Sequence, residues 1–204
     1  MSKTRDKIFS TSLRLFNDLG MSNVTLRAIA VEMNISQGNL NYHFKKRDDI
    51  IEGLYFQLVS EINETMSNLE KGKNGLGSLF IIIESIMNKL YDYRFFMLGF
   101  SDIVNGNEVI RIFHKDLNVL RQQQVNDIFK VMISKGLMKP ESLENEYSNL
   151  YKRTQILVDF WIASAQIELN EVSKDSIPKY MNLISQSIYP YLTEKGKIEF
   201  EQFV

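Results

Sequence analysis

The chain of 204 residues is 44% hydrophobic and 24% charged, which is the ordinary composition of a globular protein. It contains no cysteine, so disulfides and thiolate metal sites are excluded. The longest apolar run, Leu79–Ile83, is far too short to span a bilayer, and the N-terminal stretch MSKTRDKIF is not followed by the apolar core of a signal peptide. We therefore expect a soluble, cytoplasmic protein without a membrane partner.

The small net charge of −1 conceals an asymmetry between the two ends of the chain. Residues 1–47 contain 8 Lys or Arg and 3 Asp or Glu, whereas residues 48–204 contain 16 and 22. A basic end beside an acidic remainder favours contact of that end with a polyanion such as nucleic acid. From the charges alone, chance clustering of solvated side chains explains the asymmetry equally well.

Capping signals define the predicted helices near the N-terminus. Thr4 is expected to cap a first helix, whose apolar residues recur at spacings of three and four until Gly20 ends it. Thr25 is expected to cap a short second helix in the same way. After a tight turn, Ser36 is expected to cap a third helix over about 37–44.

A longer connecting helix is predicted next, over about 48–69, with an apolar stripe at spacings of four. The segment EKGKNGLG at 70–77 contains three glycines and indicates a boundary. Beyond it no strand-like alternation is present, and Pro178 and Pro190 lie near the two ends of the last predicted helix. The pattern of the tail, residues 195–204, is ambiguous. The further helices are predicted at about 77–93, 94–104, 108–135, 141–170 and 176–193.

The two short helices, the turn between them and the helix before them form a helix-turn-helix arrangement, in which the second short helix enters the major groove of DNA. Amide side chains pair with adenine there, and Tyr or His reaches phosphates or base edges. Leu40 and Phe44 are assigned to packing, and the basic cluster after them suits a DNA phosphate. The candidate DNA contacts are Thr25, Arg27, Gln37, Gly38, Asn39, Asn41, Tyr42, His43, Lys46 and Arg47.

Residues 25–50, TLRAIAVEMNISQGNLNYHFKKRDDI, resemble the DNA-binding signature of TetR-family transcriptional regulators. That signature has Thr, then Ile-Ala, a turn with Val or Ile before Ser, a small residue, Leu-Tyr-x-His-Phe, and a Lys that leads into the fourth helix. Two positions depart from it. Asn41 stands where the family usually has Tyr, with Tyr42 beside it, and Arg47 stands in place of Lys. The phosphate contact of the family tyrosine is therefore either absent here or made by Tyr42.

The resemblance implies an all-α protein with a helix-turn-helix domain at 1–48, joined by the fourth helix to a ligand-binding and dimerisation domain at 49–204. It also implies a homodimeric regulator of transcription without a cofactor. The expected partners are double-stranded DNA with a palindromic operator, a second copy of the chain, and a small-molecule effector. We expect a repressor that an apolar or amphipathic ligand releases from DNA, with coupling through the helix at 50–69.

The densest aromatic patch, at 91–100, and polar groups on a later helix are candidates for the effector pocket, because ligand sites combine apolar walls with a few polar groups. Filling of the core by the same side chains remains open at this level. The candidate pocket residues are Phe80, Met87, Tyr91, Phe95, Phe96, Phe100, Phe113, Tyr151, Gln155, Asp159 and Trp161.

The last two long helices have apolar rows that include small residues, a pattern that suits a four-helix seam between two subunits. Packing within one chain explains the same rows. The candidate dimer-interface residues are Phe160, Ser164, Ile167, Tyr180, Leu183, Ile184 and Ser187.

Two other functions are weighed against a ligand-responsive regulator. One is a DNA-bound scaffold whose C-terminal domain docks a protein and senses no metabolite. The other is an enzyme, but His43 lies inside the candidate recognition helix and His114 has no carboxylate partner at helical spacing. No phosphate-binding glycine loop, nucleophile elbow or zinc-protease motif is present. We therefore expect neither catalysis nor a bound metal.

Overall fold

The computed structural model describes residues 3–70, 75–170 and 172–203. Regular structure in these ranges is helical, apart from one isolated bridge between Met138 and Leu192. The predicted all-α fold class is therefore confirmed. The described α-helices are α1 Lys3–Leu19, α2 Leu26–Glu32, α3 Gln37–His43, α4 Arg47–Glu70, α5 Leu76–Asp92, α6 Arg94–Leu98, α7 Phe100–Gly106, α8 Glu108–Ser134, α9 Glu146–Leu169, α10 Ile177–Ile188 and α11 Glu194–Phe200.

The chain divides into two compact units, and the first consists of the residues up to Glu61 together with Tyr93–Ile112. The predicted boundary at residue 48 therefore lies inside this unit. The later segment belongs to it because the backbone N–H of Phe95 donates to Asn17 Oδ1 at 3.0 Å, and the Phe95 ring lies 5.0 Å from that of Phe16. Its fully buried side chains include Ile8, Phe16, Ile29, Leu40 and Ile50.

The second unit consists of Ile62–Asp92 and the residues from Phe113 onward. Part of its core is a cluster in which Met66 of α4 and Ile82 of α5 pack with partly buried isoleucines on α4, α5 and α8. The predicted glycine-rich boundary at 70–77 falls partly outside the described residues, since 71–74 are not among them. Helices α4 and α8 each run from one unit into the other.

Two helix boundaries in the first half of the chain differ from the prediction. Helix α1 begins at Lys3, so Thr4 lies inside the helix and does not cap it. The single helix predicted over 94–104 is two short helices, α6 and α7, that meet at Gly99, a residue of low helix propensity.

Helix boundaries in the C-terminal part also depend on particular residues. Helix α9 begins at 146 rather than 141 because Asn145 has a left-handed backbone, with φ of 58°. Helix α10 ends at Ile188, since a short 3₁₀ turn that includes Pro190 follows it. The ambiguous tail includes a capped helix, α11, because Thr193 accepts the backbone N–H of Gly196 at 3.1 Å.

Candidate functional site

The turn between α2 and α3 is built by local hydrogen bonds. Thr25 Oγ1 accepts the backbone N–H of Ala28 at 3.1 Å, and Ser36 Oγ accepts that of Asn39 at 3.1 Å, so both predicted N-caps are confirmed. Asn34 occupies the left-handed region with φ of 54°, which asparagine tolerates better than most residues. These contacts fix the orientation of α3 relative to α2.

The inward side of α3 is held by aromatic packing. Leu40 is fully buried and Phe44 is 3% exposed, as predicted for two packing residues. The Phe44 ring meets that of Phe9 edge to face at 5.1 Å, and the Arg5 guanidinium lies 4.9 Å from its centroid. Because α1 packs against this side, the other side of α3 faces solvent.

The outward side of α3 presents hydrogen-bonding groups. Gln37, Gly38 and Asn39 are exposed, and Tyr42 is 81% exposed. The Tyr42 ring lies edge to face against His43 at 5.3 Å, which restricts its direction. Helix α3 thus has the exposed amides and the tyrosine that contact with a DNA groove requires.

Asn41 differs from its neighbours in orientation. Its Oδ1 atom is shielded from solvent and has no hydrogen-bond partner among the described residues. A buried carbonyl oxygen cannot accept a hydrogen bond from a base edge without a change of rotamer. Of the Asn41–Tyr42 pair, Tyr42 is therefore the residue whose polar group is exposed to solvent.

The basic cluster before α4 contains two different kinds of residue. Asp49 Oδ2 accepts the backbone N–H groups of Lys45 and Lys46 at 3.1 and 2.9 Å, so these donors already have a carboxylate partner, while the Lys46 side chain is exposed. Arg47 is partly buried, and its Nη1 atom donates to the carbonyl oxygen of Met21 at 3.1 Å. Lys46 is free to meet a phosphate, whereas the Arg47 guanidinium braces the chain between α1 and α2. Arg27, at the start of α2, is exposed like Thr25.

The aromatic residues predicted to line one pocket are divided between the two units. Phe95, Phe96 and Phe100 belong to the first unit. The Phe96 ring stacks on Tyr55 at 5.2 Å and lies 5.8 Å from that of Phe100. Phe95 and Phe96 are 3% and 2% exposed, so they fill the core of the first unit.

Several predicted pocket residues in the second unit are core residues as well. Met87 is fully buried and Trp161 is 1% exposed, with Tyr91 stacked on the indole at 6.5 Å. Phe80 is buried and meets the Phe200 ring of α11 at 5.7 Å. Phe113 is 39% exposed. Tight aromatic packing accounts for this group without a ligand.

The polar candidates Tyr151, Gln155 and Asp159 lie at spacings of four on α9, facing a row on α8 that the sequence did not single out. Gln155 Nε2 donates to Asn118 Oδ1 at 2.9 Å. Burial raises the pKa of Asp159 to about 6, although Lys152 and a hydrogen bond from Gln155 act in the opposite direction. The row on α8 comprises His114, Asn118 and Arg121.

Ionisation in this polar cluster is governed by burial. Burial raises the pKa of Tyr151 to about 12. The charge of Asp159 adds to this rise, and the charge of Arg121 opposes it. Burial and the charge of Lys152 both lower the pKa of His114, which is therefore neutral at ordinary pH. At neutral pH the cluster contains a neutral tyrosine, a neutral histidine and a carboxylate close to its own pKa.

The candidate dimer residues separate into exposed and buried sets. On α9, Phe160 is 45% and Ile167 is 84% exposed, and Ser164 between them is exposed too. On α10, Leu183 is 44% exposed and Ser187 is partly buried. Tyr180 and Ile184 are 6% and 0% exposed, since they pack inside their own chain, and are therefore not available to a partner.

No group of three or more metal-ligating side chains occurs within the described ranges, and no helix there is long and apolar enough to cross a membrane. In the same ranges, the exposed polar face of α3 and the polar cluster between α8 and α9 are candidate binding sites.

Two family models match consecutive parts of the chain. The model for bacterial regulatory proteins of the tetR family matches residues 8–54, and the TetR model for bacterial transcriptional repressors matches residues 57–200. The structure is similar to that of a TetR-family transcriptional regulator from Marinobacter aquaeolei VT8, with a TM-score of 0.88 and 25% identity over 99% of each chain.

Curated relatives match over shorter stretches. The uncharacterized HTH-type transcriptional regulator YerO of Bacillus subtilis (strain 168) is 26% identical over 121 residues, which are 56% of this chain and 42% of YerO. The tetracycline repressor protein class C of Escherichia coli is 33% identical over 63 residues, 31% of this chain and 28% of that protein. The chain thus spans less than half the length of either relative. Since the two family models together match most of it, the chain belongs to the TetR family of bacterial transcriptional regulators.

Proposed function

We propose that this protein is a homodimeric repressor that binds a palindromic operator and leaves it when a small molecule binds the second unit. The proposal rests on α3, whose outward side presents Gln37, Asn39 and Tyr42 while Leu40 and Phe44 anchor its inward side. The repressor role is supported by the similarity to the tetracycline repressor, a relative that represses transcription rather than activating it. Two copies related by a two-fold axis would place two α3 helices on two half-sites.

Release of the protein from DNA would depend on α4 and α8, the helices with residues in both units. Helix α4 follows α3 directly, and Glu52 on α4 accepts a hydrogen bond from Asn107 Nδ2 at 3.0 Å. Asn107 also caps α8, since its Oδ1 accepts the backbone N–H of Ile110 at 3.0 Å. A shift of α8 caused by a ligand would therefore be passed to α4 and would change the spacing of the two recognition helices.

The function is tested by measuring binding of the full chain to the region upstream of its own gene at several salt concentrations. We expect sequence-specific binding whose affinity falls as salt rises, because phosphate contacts release counterions. Binding that is absent, or equal for a scrambled DNA, would rule out the proposed function.

Tyr42→Ala is expected to weaken binding to operator and unrelated DNA alike, whereas Asn39→Ala should reduce discrimination at one operator position by about 1–3 kcal/mol. The reason is that a tyrosine at the edge of α3 contacts the backbone and an amide contacts a base. Competition assays with single-base operator variants measure both effects. Asn149→Ala, an exposed asparagine on α9, is the control. Unchanged specificity in Asn39→Ala would remove that residue from base contact.

Lys46→Ala and Arg47→Ala are expected to separate phosphate contact from bracing. Lys46→Ala should lower the salt dependence of binding by about one unit of slope and leave stability unchanged. Arg47→Ala should cost about 1–2 kcal/mol of unfolding free energy, because the Met21 carbonyl loses a charged donor. Salt titrations and urea denaturation measure the two quantities. If Arg47→Ala lowered the salt dependence and Lys46→Ala lowered the stability, the roles assigned to the two residues would be wrong.

A further inference from the structure

Helices α8 and α9 meet through an interface that changes character along its length. At one end the rings of Phe129 and Tyr147 lie 5.2 Å apart, and both residues are buried. Farther along, Asn126 Nδ2 donates to Ser148 Oγ at 3.1 Å, and the Gln155–Asn118 pair follows beyond it. Polar groups buried between two helices cost stability wherever their hydrogen bonds are not made, so any unpaired polar atom here requires an explanation.

Two polar atoms on these two helices lack hydrogen-bond partners. Thr154 Oγ1 and Asn126 Oδ1 are shielded from solvent and form no hydrogen bond within the described structure. Thr154 lies one turn from Tyr151 and next to Gln155 on α9. Buried polar groups in a stable protein are normally satisfied, so these atoms indicate a bound molecule or water between the helices.

Asp159 is the charged group of the cluster that lacks a counter-ion. Among the described residues, no Lys, Arg or His nitrogen forms an ion pair with its carboxylate. Lys152 acts on it only through its charge, and its Nζ atom donates to Gln155 Oε1 at 3.1 Å. A partly buried carboxylate without a cation at contact distance is costly.

The two basic residues in the α8 row of the cluster do not supply that cation. The Arg121 guanidinium is engaged with Gln124 Oε1, at 2.9 Å, and with Asn63 Oδ1. His114 is neutral at ordinary pH, because burial and the charge of Lys152 lower its pKa. The cluster therefore presents acceptor oxygens, one aromatic ring and one carboxylate that forms no ion pair among the described residues, although the charge of Lys152 acts on it.

We propose that the polar end of the α8–α9 interface binds a small organic cation, with its protonated nitrogen on Asp159 and its body beside the Tyr151 ring. Thr154 and Gln155 would add hydrogen bonds to the polar part of the ligand, and the aromatic face would stabilise the positive charge. This inference rests on the proposed function, since it names the chemical class of the effector. It adds a protonated nitrogen to the apolar or amphipathic ligand that the sequence predicts.

The test compares ligands that share a skeleton and differ in charge, using the full chain without DNA. Phenethylamine, phenethyl alcohol and hydrocinnamate form one set, and butylamine, butanol and butyrate form a smaller one. Isothermal titration and thermal shifts at neutral pH should show binding of the amine in at least one set and markedly weaker binding of its alcohol and carboxylate. Asp159→Asn should weaken amine binding by about tenfold or more, which is about 1.4 kcal/mol.

Glu168→Gln is the matched control, because it removes the same charge from an exposed position on the same helix. It should bind the amine as the unchanged chain does. The proposal is overturned if no amine binds at millimolar concentration, if alcohol or carboxylate binds as well as amine, or if Asp159→Asn keeps full affinity. Because DNA is absent from this assay, such a failure is distinct from a failure of operator binding.

Discussion

Replacing Ile167 with aspartate is expected to convert a dimer into a monomer and to weaken binding to a two-half-site operator by about 10²–10⁴-fold. Ile167 is 84% exposed and lies in line with Phe160 and the exposed Ile156 on α9. An apolar row of this kind on a surface helix indicates a protein interface. A two-fold axis would bring each new carboxylate into the apolar seam of both subunits, where it has no counter-ion.

The oligomeric state is measured by analytical ultracentrifugation, and operator affinity by titration against a full operator and a single half-site. The monomeric variant should bind the half-site as the unchanged chain does and should lose only the advantage of the second half-site. Ile198→Asp is the matched control, since Ile198 is 64% exposed on α11 and outside the row. A variant that remains dimeric would place the interface elsewhere.

The helix-turn-helix was predictable because its determinants are local. Thr25 and Ser36 each cap a helix through a backbone N–H three residues away, and the spacing of Leu40 and Phe44 fixes the buried side of α3. The orientation of Asn41 was not predictable. Whether its amide faces solvent depends on how α1 and α2 pack against α3, and Tyr42 one position later has the opposite exposure.

The proposed effector site was only half predictable from the sequence. Tyr151, Gln155 and Asp159 share one side of α9 by their spacing alone, but their partners on α8 depend on pairing between two separate helices. The aromatic patch was predicted as a pocket wall because it is rich in aromatic side chains. Phe95 and Phe96 instead pack inside the first unit, against Phe16 and Tyr55. Hydrophobic pattern alone does not distinguish a pocket wall from a core.

Asp159→Asn is expected to increase the free energy of unfolding by about 1–3 kcal/mol at about pH 8, while it removes amine binding. The pKa of Asp159 is raised from 3.8 to about 6 by burial, so the folded protein pays for keeping the carboxylate ionised. That cost is complete above about pH 6 and disappears as pH falls below 3.8, where the carboxyl is protonated in both the folded and the unfolded state. The gain from asparagine should shrink over the same interval.

Urea denaturation of the ligand-free chain at about pH 8 and about pH 4.5 measures this difference. Besides burial, the groups that set the titration of Asp159 are Lys152 and Gln155, both on α9. The hydroxyl of Tyr151, whose own pKa Asp159 raises, lies on the same side of that helix. Glu168→Gln should not stabilise the protein at either pH, because Glu168 is exposed and paired with Lys179. A destabilised Asp159→Asn at the higher pH would mean that the carboxylate contributes to folding. A stabilised variant that no longer binds amines would show that the protein keeps an unfavourable charge for the sake of its ligand.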